Sequence, residues 1–216
     1  MPAFEKISQN FFSNRNLPKL RFNEKIAPHT YMLRIDERTC GTIYMIEEDG
    51  KRLLIDSGDG RVLLDFTPDA CILTHGHYDH SSGVLPSWKQ VLLHPAEFKF
   101  GGPYIKIPKN AQKNPMVPLQ FGSHLLEFFH TPGHTDGSIC IFDKKTGLLF
   151  SGDTKFADGN YGRTDIGGSD EEMEASLALI GKIPYKLLCP GHGQLEEKLS
   201  SFRAGARKHG ELEETE

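Results

Sequence analysis

The chain has 216 residues, 38% of them hydrophobic and 25% charged, the balance of an ordinary soluble globular protein, and its length predicts a single domain, 1–216, with a core over about 26–200. No run of eighteen or more apolar residues occurs, so no membrane span is expected. The net charge of −4 gives no reason to expect a nucleic-acid partner.

Residues 1–30 hold no apolar run fit for a signal peptide, which predicts a cytoplasmic protein. Cys40, Cys71, Cys140 and Cys189 are far apart and form no C-x-x-C pair. They are expected to be reduced, and the last three, which sit in apolar runs, to be buried small hydrophobes.

Taken in chain order, short apolar, β-branched runs recur: TIYMI (42–46), RLLID (52–56), ACILT (70–74), QVLLH (90–94), LLEFFH (125–130), SICIF (138–142), GLLFSG (147–152) and YKLLCP (185–190). Each has strand length, and most stop at glycine, proline or a polar cluster. Helical patterns are fewer. A helix is expected after Ser81, near SSGVLPSW. The clearest covers 169–183, where Ser169 or Asp170 can cap it, acidic residues fill the first turn, and Met173, Leu177 and Ile180 recur at helical spacing. The tail 196–216 reads as a short final helix. Many strands with few helices predict an α+β protein with sheets inside and helices on their outer faces. The loop 101–118, rich in Gly, Pro and Lys, is either a flap near a site or a long surface connection.

Four of the predicted strands end in a small or turn residue followed by a histidine or aspartate. ACILT runs into His75, LLEFFHTPG into His134, GLLFSG into Asp153 and YKLLCPG into His192. Strand-end loops held by a rigid sheet are where sites are commonly built. The segment LTHGHYDHSSGVL adds His77, Asp79 and His80 within six positions of His75. His75 and His77 share a side of an extended chain, whereas the adjacent Asp79 and His80 point differently, which suits two neighbouring metal positions. Tyr78, between them, is expected to turn its ring away and pack.

The string His75-Gly76-His77-Tyr78-Asp79-His80-Ser81-Ser82-Gly83 resembles the H-x-H-x-D-H-x-x-G signature of the metallo-β-lactamase superfamily. TPGHT with His134, SGDT with Asp153 and PGHG with His192 follow in that family's order, and LLIDSG with Asp56 matches the strand and turn before the signature. The resemblance covers roughly 40–195. It implies an αββα four-layer sandwich, with two mixed sheets flanked by helices. By the same resemblance His75, His77 and His134 hold one metal ion, Asp79, His80 and His192 hold a second, and Asp153 bridges them. Asp79 and Asp153 are then the carboxylates closest to the chemistry. The nitrogen and carboxylate donors suit two divalent ions, zinc first, with iron or manganese as alternatives. Such ions generate hydroxide at neutral pH and polarise a substrate carbonyl. Asp56 either orients a ligand histidine or only forms the turn before Ser57-Gly58.

The segment GNYGRTDIGGSD (159–170) is similar to the stretch after the bridging aspartate in glyoxalase II-like hydrolases and in persulfide dioxygenases. Arg163 either reaches the substrate or staples its loop to Asp165, with the staple favoured. The chain stops short of the further helical domain that holds glutathione in true glyoxalase II enzymes, a departure that counts against glutathione specificity. The reading implied is hydrolysis of a small thioester or ester. The alternatives are an iron-dependent sulfur dioxygenase, holding its iron by His75, His134 and Asp153, and a phosphodiesterase. A small-molecule substrate is the expected partner.

Overall fold

The computed structural model describes residues 22, 24–35, 40–99, 102 and 104–198. Seven strands form the first sheet, in the order β1 (Glu24–Ala27), β2 (Thr30–Leu33), β3 (Ile43–Glu48), β4 (Lys51–Ile55), β5 (Ala70–Ile72), β6 (Val91–Leu93) and β7 (Ala111–Lys113). Pairing is antiparallel from β1 to β4 and parallel from β4 to β7. The second sheet runs β13 (Glu196–Glu197), β12 (Leu187–Pro190), β11 (Leu148–Gly152), β10 (Ile139–Asp143), β9 (His124–His130), β8 (Leu119–Phe121). There only β11 and β12 are parallel.

Side-chain alternation along each strand explains why the sheets stack. Leu53 and Ile55 of β4 join Tyr44, Ile46 and Ile72 in a cluster that meets Leu126, Ile139, Ile141 and Phe150 of the other sheet. Leu54, between them in sequence, points to the opposite face and packs with Met45, Cys71, Leu73 and Trp88. This period of two gives each central strand two buried faces. Each fully buried aliphatic or aromatic side chain contributes about 1.5–3 kcal/mol to that packing.

The outer face of the second sheet is covered by helix α2 (Asp170–Lys182), whose Ile180 packs on Cys140, Phe142, Leu149 and Leu188. Ser169 is its N-cap, accepting from the Glu172 amide, and three acidic residues fill the first turn as expected. Over the first sheet the expected helix after Ser81 does not form. Helix α1 (Tyr78–Ser81) is a single turn lying within the signature itself. It stops because the Gly83 amide donates to the Gly58 carbonyl, and the backbone there approaches so closely that a Cβ on Gly83 would lie 1.9 Å from the Ser57 oxygen. Val84, Leu85 and Trp88 cover the sheet as loop. In the tail, Glu196 and Glu197 pair with β12 as a strand rather than beginning a helix, and 199–216 lie outside the described residues.

Three hydrogen bonds cross between the sheets at one edge. The Ile139 amide donates to the Thr74 carbonyl (2.9 Å), the Thr42 amide to the Gly191 carbonyl (2.7 Å), and the buried Tyr44 hydroxyl to the Pro190 carbonyl (2.7 Å). β4, β5, β9, β11 and β12 all deliver their C-terminal loops to this edge. Among the described residues no helix is long and apolar enough to cross a membrane.

Candidate metal centre

At that edge the structure brings all seven predicted site residues together. His75 follows β5, His77, Asp79 and His80 surround α1, His134 follows β9, Asp153 follows β11 and His192 follows β12. Three overlapping groups have donor atoms within 4.8 Å of one another: His75, His77 and His134; His75, His80 and Asp153; Asp79, His80 and His192. His77 Nδ1 and His134 Nε2 are 2.8 Å apart, and His80 Nε2 and His192 Nε2 are 3.3 Å apart. Asp153 lies between the sets. Its Oδ1 is 3.2 Å from His80 Nε2, and its Oδ2 is 3.5 Å from His134 Nε2 and 3.6 Å from His192 Nε2. Asp79 Oδ2 is 3.1 Å from His192 Nε2.

The local sequence fixes which ring nitrogens face inward. His134 Nδ1 sits 2.7 Å from the Arg163 carbonyl, which can only accept, so Nδ1 carries the proton and Nε2 presents its lone pair to the cluster. His80 Nδ1 donates to Asp56 Oδ2 at 2.8 Å. His75 Nδ1 lies 3.1 Å from the Thr74 hydroxyl, which is itself 2.8 Å from Asp56 Oδ2. Asp56 therefore touches His80 directly and reaches His75 through Thr74, beyond its part in the turn. It holds a left-handed backbone (φ 63°), which aspartate tolerates better than most side chains.

The donor set fits a pair of metal ions. Buried His75 Nε2 and His77 Nε2 have no hydrogen-bond partner, although buried polar atoms normally find one. A cation in reach of several lone pairs resolves that frustration without further protein donors. Charge within the cluster is uneven. Burial, then the neighbouring His80, hold His75 well below the usual histidine range, and burial with His134 brings His77 down to about 4. Burial also disfavours charge on His80, but Asp153 and Asp56 outweigh it and raise its pKa well above the ordinary value. Asp153 is the converse: burial works against its charge, and His80 with His192 holds it ionised.

A cavity of about 420 Å³, within the usual size range for small-molecule sites, opens over five of these residues: His77, Asp79, His134, Asp153 and His192. Its remaining wall is largely aromatic, with Tyr78, Tyr104, Phe156 and Tyr161 beside Ile166 and Arg163. Tyr78 does not turn away to pack, since it is 45% exposed and lines the cavity. A one-turn helix whose buried side is taken by His80 and Ser81 leaves its first residue facing out. Arg163 makes the expected two-pronged pair with Asp165, at 2.8 and 2.7 Å, but the pair is solvent-exposed and contributes little stability.

The segment 101–118 is not one loop: among its described residues, 111–113 form β7 on the edge of the first sheet, and the part before it is anchored against the signature. The Tyr78 amide donates to the Tyr104 carbonyl, the Lys106 amide to the Gly76 carbonyl, and Ser81 Oγ to the Lys106 carbonyl. The sequence reading missed Thr74, Glu97 and the aromatic wall. It also missed the close backbone packing at Gly191, where a Cβ would lie 2.2 Å from Asp153 Oδ1. Glu97, in the 3-10 turn Pro95–Lys99, accepts from the Gly76 and Gly137 amides and the Thr135 hydroxyl.

Comparison with known proteins gives the same direction. The model of the metallo-β-lactamase superfamily matches residues 41–192. A hydroxyacylglutathione hydrolase of Salmonella typhi is 31% identical over 157 residues, covering 68% of this chain and 59% of that enzyme. The chain thus spans little more than half the length of that relative. Among solved structures, TTHA1623 in a di-iron-bound form is 26% identical with a TM-score of 0.58, covering 74% of this chain and 91% of its own. ETHE1 from Myxococcus xanthus shares the fold at 23% identity and a TM-score of 0.60, covering 78% of this chain and 79% of its own.

Proposed function

The chain belongs to the metallo-β-lactamase superfamily, and on that premise we propose that it is a hydrolase of small thioesters working with two divalent metal ions, zinc first among them. The observation that carries this reading is the Asp153 carboxylate, set between histidines of both groups, beside the unsatisfied His75 Nε2 and His77 Nε2. His75, His77 and His134 would hold one ion, Asp79, His80 and His192 the other, and Asp153 both. When bound, such a pair acidifies water and polarises a carbonyl oxygen.

The chain's own groups supply orientation. Asp56 and Thr74 fix two histidine rings, and the Arg163 carbonyl fixes a third. Asp79 and Asp153 line the cavity and can accept hydrogen bonds from an attacking water. Tyr104, Phe156 and Tyr161 line the cavity and offer apolar area to a bound substrate. The thioester class is supported by the Salmonella relative, a hydrolase of hydroxyacylglutathione. Which thiol the substrate carries rests on this chain's own cavity. The proposed compartment is the cytoplasm, where the four buried cysteines, all free, would stay reduced. The test is hydrolysis of acyl thioesters by zinc-loaded protein and its loss in Asp153→Ala. Equal turnover in that variant would remove Asp153 from the reaction.

A further inference from the structure

We infer that Glu97 is a positioning residue for the first metal position: its carboxylate locks the segment carrying His75 and His77 against the turn carrying His134. The inference rests on the metal reading above and is independent of the substrate.

Glu97 lies on a 3-10 turn that none of the seven site residues shares, and it is only 1% exposed. Its two oxygens divide between two loops. Oε2 accepts from the Gly76 amide at 3.0 Å, in the middle of His75-Gly76-His77. Oε1 accepts from the Gly137 amide at 3.0 Å and from the hydroxyl of Thr135, the residue after His134. The partners are 21 and 40 residues away in sequence, so no local turn requires the arrangement.

The glycines show how closely the carboxylate is seated. A Cβ on Gly76 would lie 2.4 Å from Glu97 Oε2, and one on Gly137 would lie 2.5 Å from Glu97 Cγ. Any side chain between the two histidines would push the carboxylate out. This gives the glycine of the H-G-H segment a reason beyond backbone flexibility.

Desolvating a carboxylate is costly, and satisfying three buried donors offsets that cost, but neither requires the donors to come from two segments that carry candidate ligands. What three converging donors provide is registration. His77 Nδ1 and His134 Nε2 come from segments 57 residues apart, yet are held 2.8 Å from each other. Donor atoms of a metal site must be held to within about 0.5 Å, and Glu97 is the side chain that ties both segments to one point.

The test is cobalt(II) titration of metal-free protein, read by visible absorption. His77→Ala and Asp79→Ala identify which binding phase belongs to which position. Glu97→Gln keeps the shape but offers one acceptor oxygen where two are needed. It should weaken the phase that His77→Ala abolishes by about ten-fold and alter its cobalt spectrum, leaving the Asp79-dependent phase near wild type. Thr135→Val, which removes one of the three donors at near-constant volume, should shift the same phase in the same direction by less. Equal weakening of both phases, or no selective change in either variant, would overturn the inference and leave Glu97 a general packing residue. Failure of wild-type protein to take up cobalt would instead overturn the metal reading, and this inference with it.

Discussion

Asp56→Asn is the substitution that separates orientation from simple packing. Asp56 is buried and uses both oxygens: Oδ1 accepts from the Thr74 amide at 2.7 Å, and Oδ2 accepts from His80 Nδ1 at 2.8 Å. An amide has one acceptor. If its oxygen faces Thr74, its NH2 meets His80 Nδ1, which must then give up its proton and accept. The proton moves to His80 Nε2, the atom 3.2 Å from Asp153 and 3.3 Å from His192, and the lone pair offered to a metal is lost. If the amide is flipped, its NH2 opposes the Thr74 N–H, and one buried donor goes unsatisfied at about 1–3 kcal/mol. In the first arrangement the Asp79, His80, His192 position should bind metal about 10- to 100-fold more weakly, or about 1.4–2.8 kcal/mol; in the flipped one the tautomer is kept and the loss falls on folding stability instead. Competition with a chelator of known affinity measures this directly. Two sites of wild-type affinity in Asp56→Asn, or a loss confined to the His77 position, would refute the tautomer argument.

Three further outcomes follow from the same geometry. His77→Ala should lose one metal equivalent and most turnover; full metal content by elemental analysis would remove it from the ligand set. Ser169→Ala deletes the cap on α2 and should cost about 0.5–2 kcal/mol in a denaturant titration, and no change would mean that the 3.4 Å contact to the Glu172 amide is idle. Burial, then the neighbouring His130, hold His94 down at about 4 against an ordinary 6.5. The unfolded chain therefore takes up that proton first, so stability present above pH 6.5 is lost as pH falls toward 4. His94→Gln should flatten the fall in Tm across that window, and an unchanged slope would mean another group causes it.

The strands at the centre of both sheets were legible because their burial is continuous: ICIFD and LLFSG are buried at every position. The candidate site was legible for a related reason: His75, His134, Asp153 and His192 come shortly after the ends of β5, β9, β11 and β12, and His77, Asp79 and His80 share one short segment with His75. β1, β7 and β13 were not. EKIA, AQK and EE have no strand signal of their own and are strands because a neighbour's backbone pairs with them. The helix near Ser81 was misplaced because Gly83 serves a contact with Ser57, which lies far from it in sequence. The supports of the candidate ligands were hidden for the same reason. Thr74 and Glu97 become meaningful only through packing, and the Arg163 carbonyl is a backbone group that no residue type announces.

The central claim is tested most directly by assaying purified, zinc-loaded protein on small acyl thioesters under strictly anaerobic conditions, beside Asp153→Ala. The account predicts about two zinc ions per chain, thioester cleavage with no oxygen present, and none in the variant. Oxygen uptake with glutathione persulfide in iron-loaded protein, without anaerobic thioester cleavage, would contradict it, as would release of nitrophenol from bis-nitrophenyl phosphate far faster than cleavage of any thioester.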